Sequence, residues 1–381
     1  MKKSLSLYIH IPFCNSKCRY CNFVSCVAAD EFKTEYLKQL NAELLYRAKE
    51  YRSRYEVATI YIGGGTPSSL RIGAIKNIMH TVLNNFSVRN DAEITIEMNP
   101  NDLTDAKLNE YLEIGINRFS TGLQSSNDRI LKIIGRTHTL LNYQITANRL
   151  INRGVSNIST DIIIGLPGQT EKDVQETLKV LLDLKIPHIS AYMLQLEEGT
   201  PLKKLVDDGT ISLPSEEQTA NMYKLVCKIL AEKGYEHYEV SNFALPNFAS
   251  KHNRVYWDGG DYLGVGASAH SLIFPYRMAN TENIKEYIDI VRNKRVAPIC
   301  SVYKLTTEMQ KEERIMLKLR TRDGLNLNDY EKDFKENLVQ KKKSEISSLI
   351  KNKLITLDSN FNLKVTEDGY LVLNEIIRQL T

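Results

Sequence analysis

The sequence predicts an α/β protein in which an open, partial (β/α)6 barrel is followed by a small winged-helix-like C-terminal domain. In the first half of the chain, short apolar or alternating segments that are typical of strands recur six times. Amphipathic helical segments separate them, which is the pattern of a parallel sheet with helical crossovers. From about residue 306 onwards the pattern changes to short helices and one small hairpin.

Strands and helices alternate regularly through the predicted barrel. Strands are predicted at 5–11, 58–62, 93–97, 118–123, 158–164 and 188–194, with helices between them at 32–48, 70–86, 105–114, 140–153 and 171–184. No isolated Gly-x-Gly-x-x-Gly motif follows the first strand, so a dinucleotide-binding Rossmann domain is disfavoured. In β/α barrels the chemistry gathers at the C-terminal ends of the strands. Polar residues that follow the strands are therefore expected to meet at one open mouth.

The chain is expected to have three parts. Residues 1–236 form the barrel, 237–305 an extension and connecting segment, and 306–381 the C-terminal domain. In the last part, helices are predicted at 312–319, 327–334, 342–351 and 371–380, with a hairpin at 354–365. A winged-helix-like module need not bind DNA, and a net charge of +4 is too small to indicate a nucleic-acid partner.

Composition indicates an ordinary globular protein, because 42% of the 381 residues are apolar and 25% are charged. The basic run 341–343 is interpreted as a solvated helix face, and a phosphate or peripheral membrane contact is the alternative. No apolar run approaches the roughly 20 residues that span a bilayer. The apolar stretch after Lys2 and Lys3 is too short and too strand-like for a signal peptide. A cytoplasmic location is therefore expected.

Three cysteines form the most specific pattern in the chain. Cys14, Cys18 and Cys21 follow the first strand at C-x3-C-x2-C spacing. Thiolates usually hold all four irons of a [4Fe–4S] cluster, so three of them leave one iron free for an exchangeable small molecule. A zinc site remains an alternative but would need a fourth ligand at matching spacing. A disulfide is disfavoured because three is odd and the chain looks intracellular.

Polar residues and glycines stand at the ends of the other predicted strands. Glycines at 63–65 let the backbone approach a ligand closely, although a plain tight turn would show the same run. Glu97 can accept hydrogen bonds from hydroxyl or ammonium groups, and the planar fork of Arg136 suits a carboxylate. The candidate ligand-binding residues are Tyr8, Tyr20, Gly64, Gly65, Thr66, Glu97, Gln124, Arg136 and Asp161. For each of them a packing or surface role is the alternative.

The cysteine spacing at the end of a first strand resembles the radical S-adenosylmethionine (SAM) superfamily. This resemblance implies a partial barrel of the radical SAM type, in which the free iron is chelated by the amino and carboxylate groups of SAM. It also implies that an electron from the reduced cluster, supplied by a donor, can cleave SAM to a 5′-deoxyadenosyl radical.

The whole chain is similar to the branch that contains oxygen-independent coproporphyrinogen III oxidase. The similar segments are 8–14 (YIHIPFC), 63–67 (GGGTP), 96–100 (IEMNP) and 161–170 (DIIIGLPGQT). By this resemblance Tyr8, Gly64, Gly65, Thr66, Glu97, Gln124, Arg136 and Asp161 match SAM-contacting positions. Tyr20 falls where an aromatic residue of the oxidase contacts a second SAM.

Three departures from the oxidase pattern matter. Position 23 is Phe where the oxidase has a fourth cysteine, and only 13 residues precede Cys14, where the oxidase carries a longer extension. Residues 251–257 contain His-Asn-x-x-Tyr-Trp, which resembles the haem-binding motif of the HemW family of haem chaperones. His252 is a reasonable axial haem ligand, whereas a hydrogen-bonded structural corner is the alternative for the same pair.

The resulting hypothesis is a haem chaperone that binds a [4Fe–4S] cluster, SAM and haem, and passes haem to an acceptor such as a respiratory haemoprotein. In this hypothesis, the cluster and SAM regulate state or assembly more than they drive turnover. Two other classes remain open. One is an enzyme that oxidatively decarboxylates the propionates of coproporphyrinogen III, and the other is an interaction protein that uses the C-terminal module.

Overall fold

The six predicted strands lie side by side in the computed structural model, which describes residues 2–381. They follow one another in sequence order, and each pairs in parallel with the next. The strands are β1 (Lys3–Ile11), β2 (Tyr55–Gly64), β3 (Val88–Met98), β4 (Arg118–Gln124), β5 (Ile158–Ile164) and β6 (His188–Met193). This arrangement confirms the predicted partial (β/α)6 barrel.

Helices connect the parallel strands on the outer side of the sheet. They are α1 (Asp30–Tyr51), α2 (Ala74–Asn85), α3 (Asp105–Glu113), α4 (Asp128–Ile133), α5 (Leu140–Asn152) and α6 (Glu171–Asp183), with a short 3-10 helix at Pro67–Ser69. Local sequence sets where they begin. At α6, for example, the Thr170 hydroxyl accepts from the Asp173 amide at 3.3 Å, and the Asp173 carboxylate accepts from the Thr170 amide at 2.8 Å. This reciprocal capping satisfies amides that have no partner within the helix.

The barrel strands are apolar on one face and polar on the other, because successive side chains point to opposite faces of a strand. The apolar face packs under the helices and is fully buried. Its members include Ile60, Ile62, Ile96, Phe119, Leu123, Ile162 and Ile189. The opposite face turns towards the inside of the barrel, where its residues are mostly polar. They include Tyr61, Glu97, Arg118, Ser120, Gln124, Ser159, Asp161, His188 and Ser190. The hydrophobic core therefore lies between the strands and the surrounding helices, and the interior of the barrel is polar.

Further strands extend the sheet at both edges. The elements are α7 (Pro201–Asp207), α8 (Glu216–Glu232), β7 (Glu236–Glu239), β8 (Asn242–Ala244), α9 (Lys251–Asp258), β9 (Tyr262–Val265), β10 (His270–Ile273), β11 (Tyr276–Asn280), α10 (Ile284–Lys294) and β12 (Ile299–Lys304). The twelve strands run in the order β12-β11-β10-β9-β1-β2-β3-β4-β5-β6-β8-β7. The strands β7 and β8 form an antiparallel pair, because a sharp turn at 240–241 lets the second segment fold back on the first.

The buried carboxylate of Glu43 fixes the extension to the barrel. From α1, it accepts hydrogen bonds from the Gly266 amide at 2.9 Å, the Asn280 side chain at 2.8 Å and the Tyr287 hydroxyl at 2.7 Å. Arg47 lies 3.6 Å away on the same helix. A buried carboxylate is tolerated when several donors surround it, so this one residue holds three segments of the extension in place.

The last part of the chain forms a separate small sheet with helices around it. Its elements are α11 (Thr307–Leu319), β13 (Leu325–Asn326), α12 (Leu327–Phe334), α13 (Leu338–Lys341), α14 (Lys343–Lys351), β14 (Ile355–Leu357), β15 (Asn362–Val365), α15 (Glu367–Tyr370) and α16 (Leu373–Leu380). Helices followed by a hairpin agree with the predicted winged-helix-like module. The exact domain boundaries, after 236 and after 305, stay a prediction.

Backbone hydrogen bonds attach this module to the barrel extension. The Val240 amide donates to the Arg320 carbonyl at 2.8 Å, and the Arg322 amide donates to the Tyr238 carbonyl at 3.1 Å. Between residues 2 and 381, no helix is both long and apolar enough to cross a membrane.

Candidate functional site

A cavity of about 770 Å³ opens at the C-terminal ends of the barrel strands and reaches inwards between them. Its size falls in the usual range for small-molecule sites. Its walls are formed mainly by the barrel strands, the cysteine loop and residues 370–375 of the C-terminal module, with further residues from 194–197, 240–241 and 250–253 and from position 320. Five of the predicted site residues line it, namely Tyr20, Cys21, Glu97, Gln124 and Asp161.

The cysteine loop is closed at its base by backbone hydrogen bonds. The Cys14 amide donates to the Cys26 carbonyl at 3.0 Å, and the Cys26 amide donates to the Pro12 carbonyl at 2.9 Å. Cys14, Cys18 and Cys21 are all half-buried and reduced, and all three lie on this loop. The side chain of Cys26, in contrast, packs against the hydrophobic core. The loop thus presents three thiols at the barrel mouth. Burial raises the pKa of the fourth, Cys26, and the nearby Cys14 thiol raises it further.

Positive and hydrogen-bonding groups surround the three sulfurs. The Thr66 hydroxyl lies 3.5 Å from the Cys14 Sγ, and the Arg136 guanidinium lies 3.6 Å from the Cys18 Sγ. Burial raises the pKa of Cys21, and the neighbouring Cys18 and Cys14 thiols raise it further. The thiols are thus close enough to oppose each other's ionisation, which a bound cationic group would relieve. Three soft thiolate ligands fit an iron–sulfur cluster, so the residues present suit this group.

A site for a single metal ion differs from this arrangement. Among residues 2–381, no three His, Cys, Asp or Glu side chains converge closely enough to hold one ion. In an iron–sulfur cube each thiolate binds a different iron, so its ligands do not have to converge on one point.

The glycine turn after β2 brings backbone amides to the mouth. Gly64 has φ +110°, and a Cβ at this position would lie 2.5 Å from the His10 ring. Only glycine fits here, because both the conformation and the contact exclude a side chain. The Gly65 amide donates to the Ile11 carbonyl at 2.8 Å, and the Thr66 amide donates to the Phe13 carbonyl at 2.7 Å. These bonds fix the turn directly below the cysteine loop.

Glu97 lies beside the glycine turn with both carboxylate oxygens engaged. It accepts from the Tyr61 hydroxyl at 2.7 Å and from the Gly64 amide at 3.1 Å. Burial raises the pKa of Glu97 to about 7, and the nearby Asp161 adds to the rise, although both hydrogen bonds oppose it. Burial likewise raises the pKa of Asp161 to about 6, against a hydrogen bond to Ser190 and the positive charges of two arginines. The cavity wall therefore carries two carboxyl groups that a cationic ligand would stabilise in their ionised form.

Gln124 and Arg136 form a second polar group on the wall. Gln124 has φ +68° at the end of β4, and its side-chain oxygen has no protein partner among the described residues. The Arg136 guanidinium donates to the Gly122 carbonyl at 2.7 Å. A Cβ at Gly122 would overlap the Gln124 amide and lie 3.2 Å from Arg136. An unusual backbone and an unpartnered amide oxygen are typical of a residue held ready for a ligand.

Tyr8 and His252 lie behind the cavity wall. The Tyr8 hydroxyl contacts the His10 ring at 3.0 Å, and the Tyr8 ring stacks on Tyr61 at 6.1 Å between centroids. On the other side of Tyr61, the His252 ring lies 5.1 Å away between centroids. Neither Tyr8 nor His252 lines the cavity.

His252 lies on α9 and is only 1% exposed, so its predicted loop environment is replaced by a buried helical one. Both ring nitrogens are engaged, because Nδ1 lies 2.7 Å from the Thr59 hydroxyl and Nε2 lies 2.9 Å from the Tyr256 hydroxyl. Burial lowers the pKa of His252 to about 3, so the ring is neutral at physiological pH. The alternative of a hydrogen-bonded structural residue describes this conformation, and no ring nitrogen is free to bind iron in it.

Several cavity residues were not predicted. They include Phe23, Tyr61, Ser120, Ser159, His188, Ser190, Tyr192, Asn253 and the segment 370–375, together with the deeply placed Arg118. The strand residues in this set have a signal in the sequence: polar side chains alternate with apolar ones within otherwise buried strands, as at 118–124 and 188–192. The C-terminal segment has no such signal, because its contribution depends on how the module docks.

Comparison with known proteins assigns the class. Residues 8–181 match the radical SAM superfamily, and residues 305–372 match the HemN C-terminal domain. With its partial barrel and three-cysteine loop, the chain is a radical SAM protein of the HemN type. Within that class it belongs to the HemW family, because it is at least 30% identical to members of that family along its whole length.

Two relatives and one solved structure illustrate this. The "Heme chaperone HemW" of Lactococcus lactis is 35% identical over 100% of this chain and 98% of its own length. The protein of the same name from Bacillus subtilis is 35% identical over 97% of each chain. The structure of the Escherichia coli coproporphyrinogen III oxidase HemN, described as a radical SAM enzyme, superposes with a TM-score of 0.87 at 25% identity. It covers 100% of this chain and 90% of that one.

Proposed function

We propose that this protein is a haem chaperone that binds one [4Fe–4S] cluster, SAM and haem, and delivers the haem to an acceptor protein. The observation that carries the proposal is the 35% identity, over the full length, to a relative named as a haem chaperone. Phe23 supports it, because this side chain is 64% exposed at the cavity where the oxidase pattern has a further cysteine.

In this proposal Cys14, Cys18 and Cys21 hold the cluster, and Arg136 and Thr66 stabilise the charge on the sulfurs. The cluster would supply an iron with an open position for SAM. The remaining SAM contacts are assigned to Tyr8, Tyr20, Gly64, Gly65, Glu97, Gln124 and Asp161. Glu97 and Asp161 are the residues that would attract the positive charges of SAM, since both line the cavity and, within residues 2–381, neither forms a salt bridge.

Haem binding at His252 would require α9 to move. The two hydrogen bonds of the His252 ring, to Thr59 and Tyr256, must break before either nitrogen can reach iron. The ring is already neutral, which is the form that binds metal. We therefore propose that haem binds to an opened state in which His252 has left the barrel. We propose that the acceptor is a haemoprotein and that a partner protein supplies electrons to the cluster. The proposed location is the cytoplasm, and a peripheral membrane contact is compatible with it.

The test is an anaerobic haem titration of protein whose cluster has been reconstituted with iron and sulfide. The wild type should bind one haem with a shifted Soret band and lose it to an apo-haemoprotein. His252→Ala should alter the spectrum and weaken binding, whereas His270→Ala, which changes an exposed histidine on β10, should have no effect. Unchanged haem spectra and affinity in His252→Ala would remove His252 from the proposal.

An oxidase is the second candidate, because the structural similarity to HemN extends over the whole chain with a TM-score of 0.87. In that case the cavity would hold coproporphyrinogen III and SAM together. Anaerobic incubation with SAM, a reductant and coproporphyrinogen III distinguishes the two functions. Stoichiometric formation of protoporphyrinogen would establish the oxidase, whereas SAM cleavage without porphyrin product would not.

A further inference from the structure

The inner end of the cavity contains a buried arginine that the cluster and SAM assignments do not use. Arg118 is the first residue of β4 and is 2% exposed, yet it lines the cavity. It lies four residues before Gly122, so about 13 Å of strand separates it from the level of the cluster loop. It therefore lies at the opposite end of the cavity from the three cysteines.

Among the residues that the structure describes, the hydrogen-bond partners of the Arg118 guanidinium are neutral. Its Nη1 donates to the Asn157 side-chain oxygen at 2.6 Å and to the Phe248 carbonyl at 3.1 Å. Within residues 2–381 no carboxylate forms an ion pair with it at 4 Å or less, although Asp161 on β5 is near enough for the positive charge of Arg118 to lower the pKa of that carboxyl against the rise caused by burial. Glu93, on the neighbouring strand, directs its two oxygens to the backbone amides of Lys251 and His252 at 3.2 and 3.0 Å.

A buried guanidinium without a carboxylate is an incomplete arrangement. Arginine stays protonated in proteins, and a buried charge is expensive unless it is paired. Because Nη1 already has two acceptors, the remaining N–H groups of the fork are the ones available to a ligand. The Ser120 hydroxyl, the Ser159 hydroxyl and the Asn253 amide line the same part of the cavity and supply further polar contacts.

We infer that the inner end of the cavity is a carboxylate-binding subsite centred on Arg118. This inference rests on the proposed function for the source of the carboxylate, which is a propionate of haem. The other carboxylate available is that of SAM, but in the proposed function it lies at the iron cluster, at the far end of the cavity. Asn253 follows His252 on α9, so a propionate at Arg118 would lie next to the helix that carries the proposed haem ligand.

Modified ligands test the subsite on the wild-type protein, without any substitution. Haem is compared with its dimethyl ester, in which both propionates are neutral, and SAM with decarboxylated SAM. Both comparisons use the full chain with its cluster reconstituted anaerobically. Haem should bind about 10- to 100-fold more tightly than the ester, which is the range for hydrogen bonds to a charged group. Equal affinity of haem and its ester would overturn the subsite.

Substitution of Arg118 then tests whether this residue causes the difference in affinity between haem and its ester. Arg118→Gln should weaken haem binding to the level of the ester and abolish the difference between the two, whereas SAM affinity should stay unchanged. Arg89→Gln is the matched control, because this arginine lies on β3 in an exposed pair with Glu56. Should Arg118→Gln fail to fold, Arg118→Lys keeps the charge and should retain part of the preference for haem over its ester.

The possible outcomes distinguish a failure of the proposed subsite from a failure of the proposed function. If the wild type binds neither haem nor the ester, the proposed function is wrong and the propionate assignment falls with it. If haem and ester bind equally, the function stands and the subsite is wrong. If Arg118→Gln instead weakens SAM and leaves haem unchanged, the propionate assignment is overturned in favour of the SAM carboxylate.

Discussion

At the scale of single residues, Glu97 shows how a binding site can oppose stability. The ionised carboxylate faces the cavity with a hydroxyl and one amide as its donors, and burial raises its pKa from 4.5 to about 7. Each pKa unit corresponds to about 1.4 kcal/mol. Ionised Glu97 therefore destabilises the empty protein by about 3 kcal/mol above neutral pH, and a cation in the cavity would reverse this effect.

The first prediction concerns the pH dependence of this effect. Between pH 4.5 and about 7 the folded protein binds more protons at Glu97 than the unfolded chain does, so its free energy of unfolding falls as pH rises. Glu97→Gln removes this titration. In urea unfolding of the ligand-free protein, the variant should match the wild type near pH 4.5 and exceed its stability at pH 8 by up to about 3 kcal/mol.

Glu97→Gln should also bind SAM more weakly. The negative charge that destabilises the empty protein is the same charge that would attract the positive groups of SAM. Glu113→Gln, an exposed carboxylate paired with Lys76, should change neither property. A Glu97→Gln protein that is less stable than the wild type at pH 8 would contradict this account of the carboxylate.

The second prediction separates Cys26 from the other three cysteines of the loop. Cys26→Ala should retain the iron and sulfide content of the wild type, because its thiol packs against the core and only its backbone closes the loop. Cys18→Ala should lose the cluster, since a neighbouring thiolate cannot replace the one beside Arg136. Iron and sulfide analysis with visible absorbance after anaerobic reconstitution measures this, and loss of the cluster in Cys26→Ala would contradict the geometry.

At the scale of secondary-structure elements, α9 closes the inner end of the barrel. The Glu93 carboxylate accepts hydrogen bonds from the first backbone amides of the helix, and the Ser250 hydroxyl accepts one from the Asn253 amide at 3.2 Å. The His252 ring forms a hydrogen bond with the Thr59 hydroxyl of β2. A carboxylate at a helix N-terminus stabilises the helix through direct hydrogen bonds and through the helix dipole. The N-terminal end of the helix that carries the proposed haem ligand is therefore held by identifiable hydrogen bonds.

The third prediction is that Glu93→Gln loosens α9. Loss of the charge at the helix N-terminus should destabilise α9 by about 1 kcal/mol, which raises amide hydrogen exchange in residues 251–258 about five-fold. If haem binds to the opened state, haem association should accelerate by a similar factor. Glu56→Gln, an exposed substitution on β2, serves as the control. Faster exchange with an unchanged association rate would contradict the proposal that α9 must open.

At the scale of the whole molecule, the cavity joins parts that are distant in the sequence. Its walls come from the loop at 20–23, from five barrel strands and from residues 370–375. The C-terminal module is attached through its backbone bonds to 238–240, and within the module Arg320, which lines the cavity, donates to Asn374 at 2.9 Å. A ligand in the cavity would thus contact both the barrel and the module.

The fourth prediction follows from this shared cavity. SAM at 100 times its dissociation constant should stabilise the reconstituted protein by about 2.7 kcal/mol. Hydrogen exchange should slow at 118–124 and also at 370–375, and more at both than at 343–351 in the helix α14. Protection confined to the barrel would show that the module is not part of the binding site.

The barrel was predictable because its signals are local. Each strand is an apolar run such as 158–164, each helix has a repeating apolar face, and turn residues such as Gly115 and Gly154 separate them. The mouth was predictable for the same reason, since residues that end parallel strands must meet at one edge. The strands β9–β12 were missed because they are short and pair only with each other or with β1, the first strand of the barrel.

The sequence by itself determined the six alternating strands and helices of the barrel, the cysteine loop and the residues at the strand ends. Hydrophobic periodicity and residue spacing involve residues that are close together in the sequence, so these features can be predicted without knowing which distant segments contact each other. The tertiary structure alone decided that His252 is buried between Thr59 and Tyr256, that Arg118 faces the cavity without forming an ion pair, and that residues 370–375 form a wall. Each of these three features depends on which remote segments pack together. The free energy of that packing depends on both segments at once, so neither segment's sequence alone predicts it.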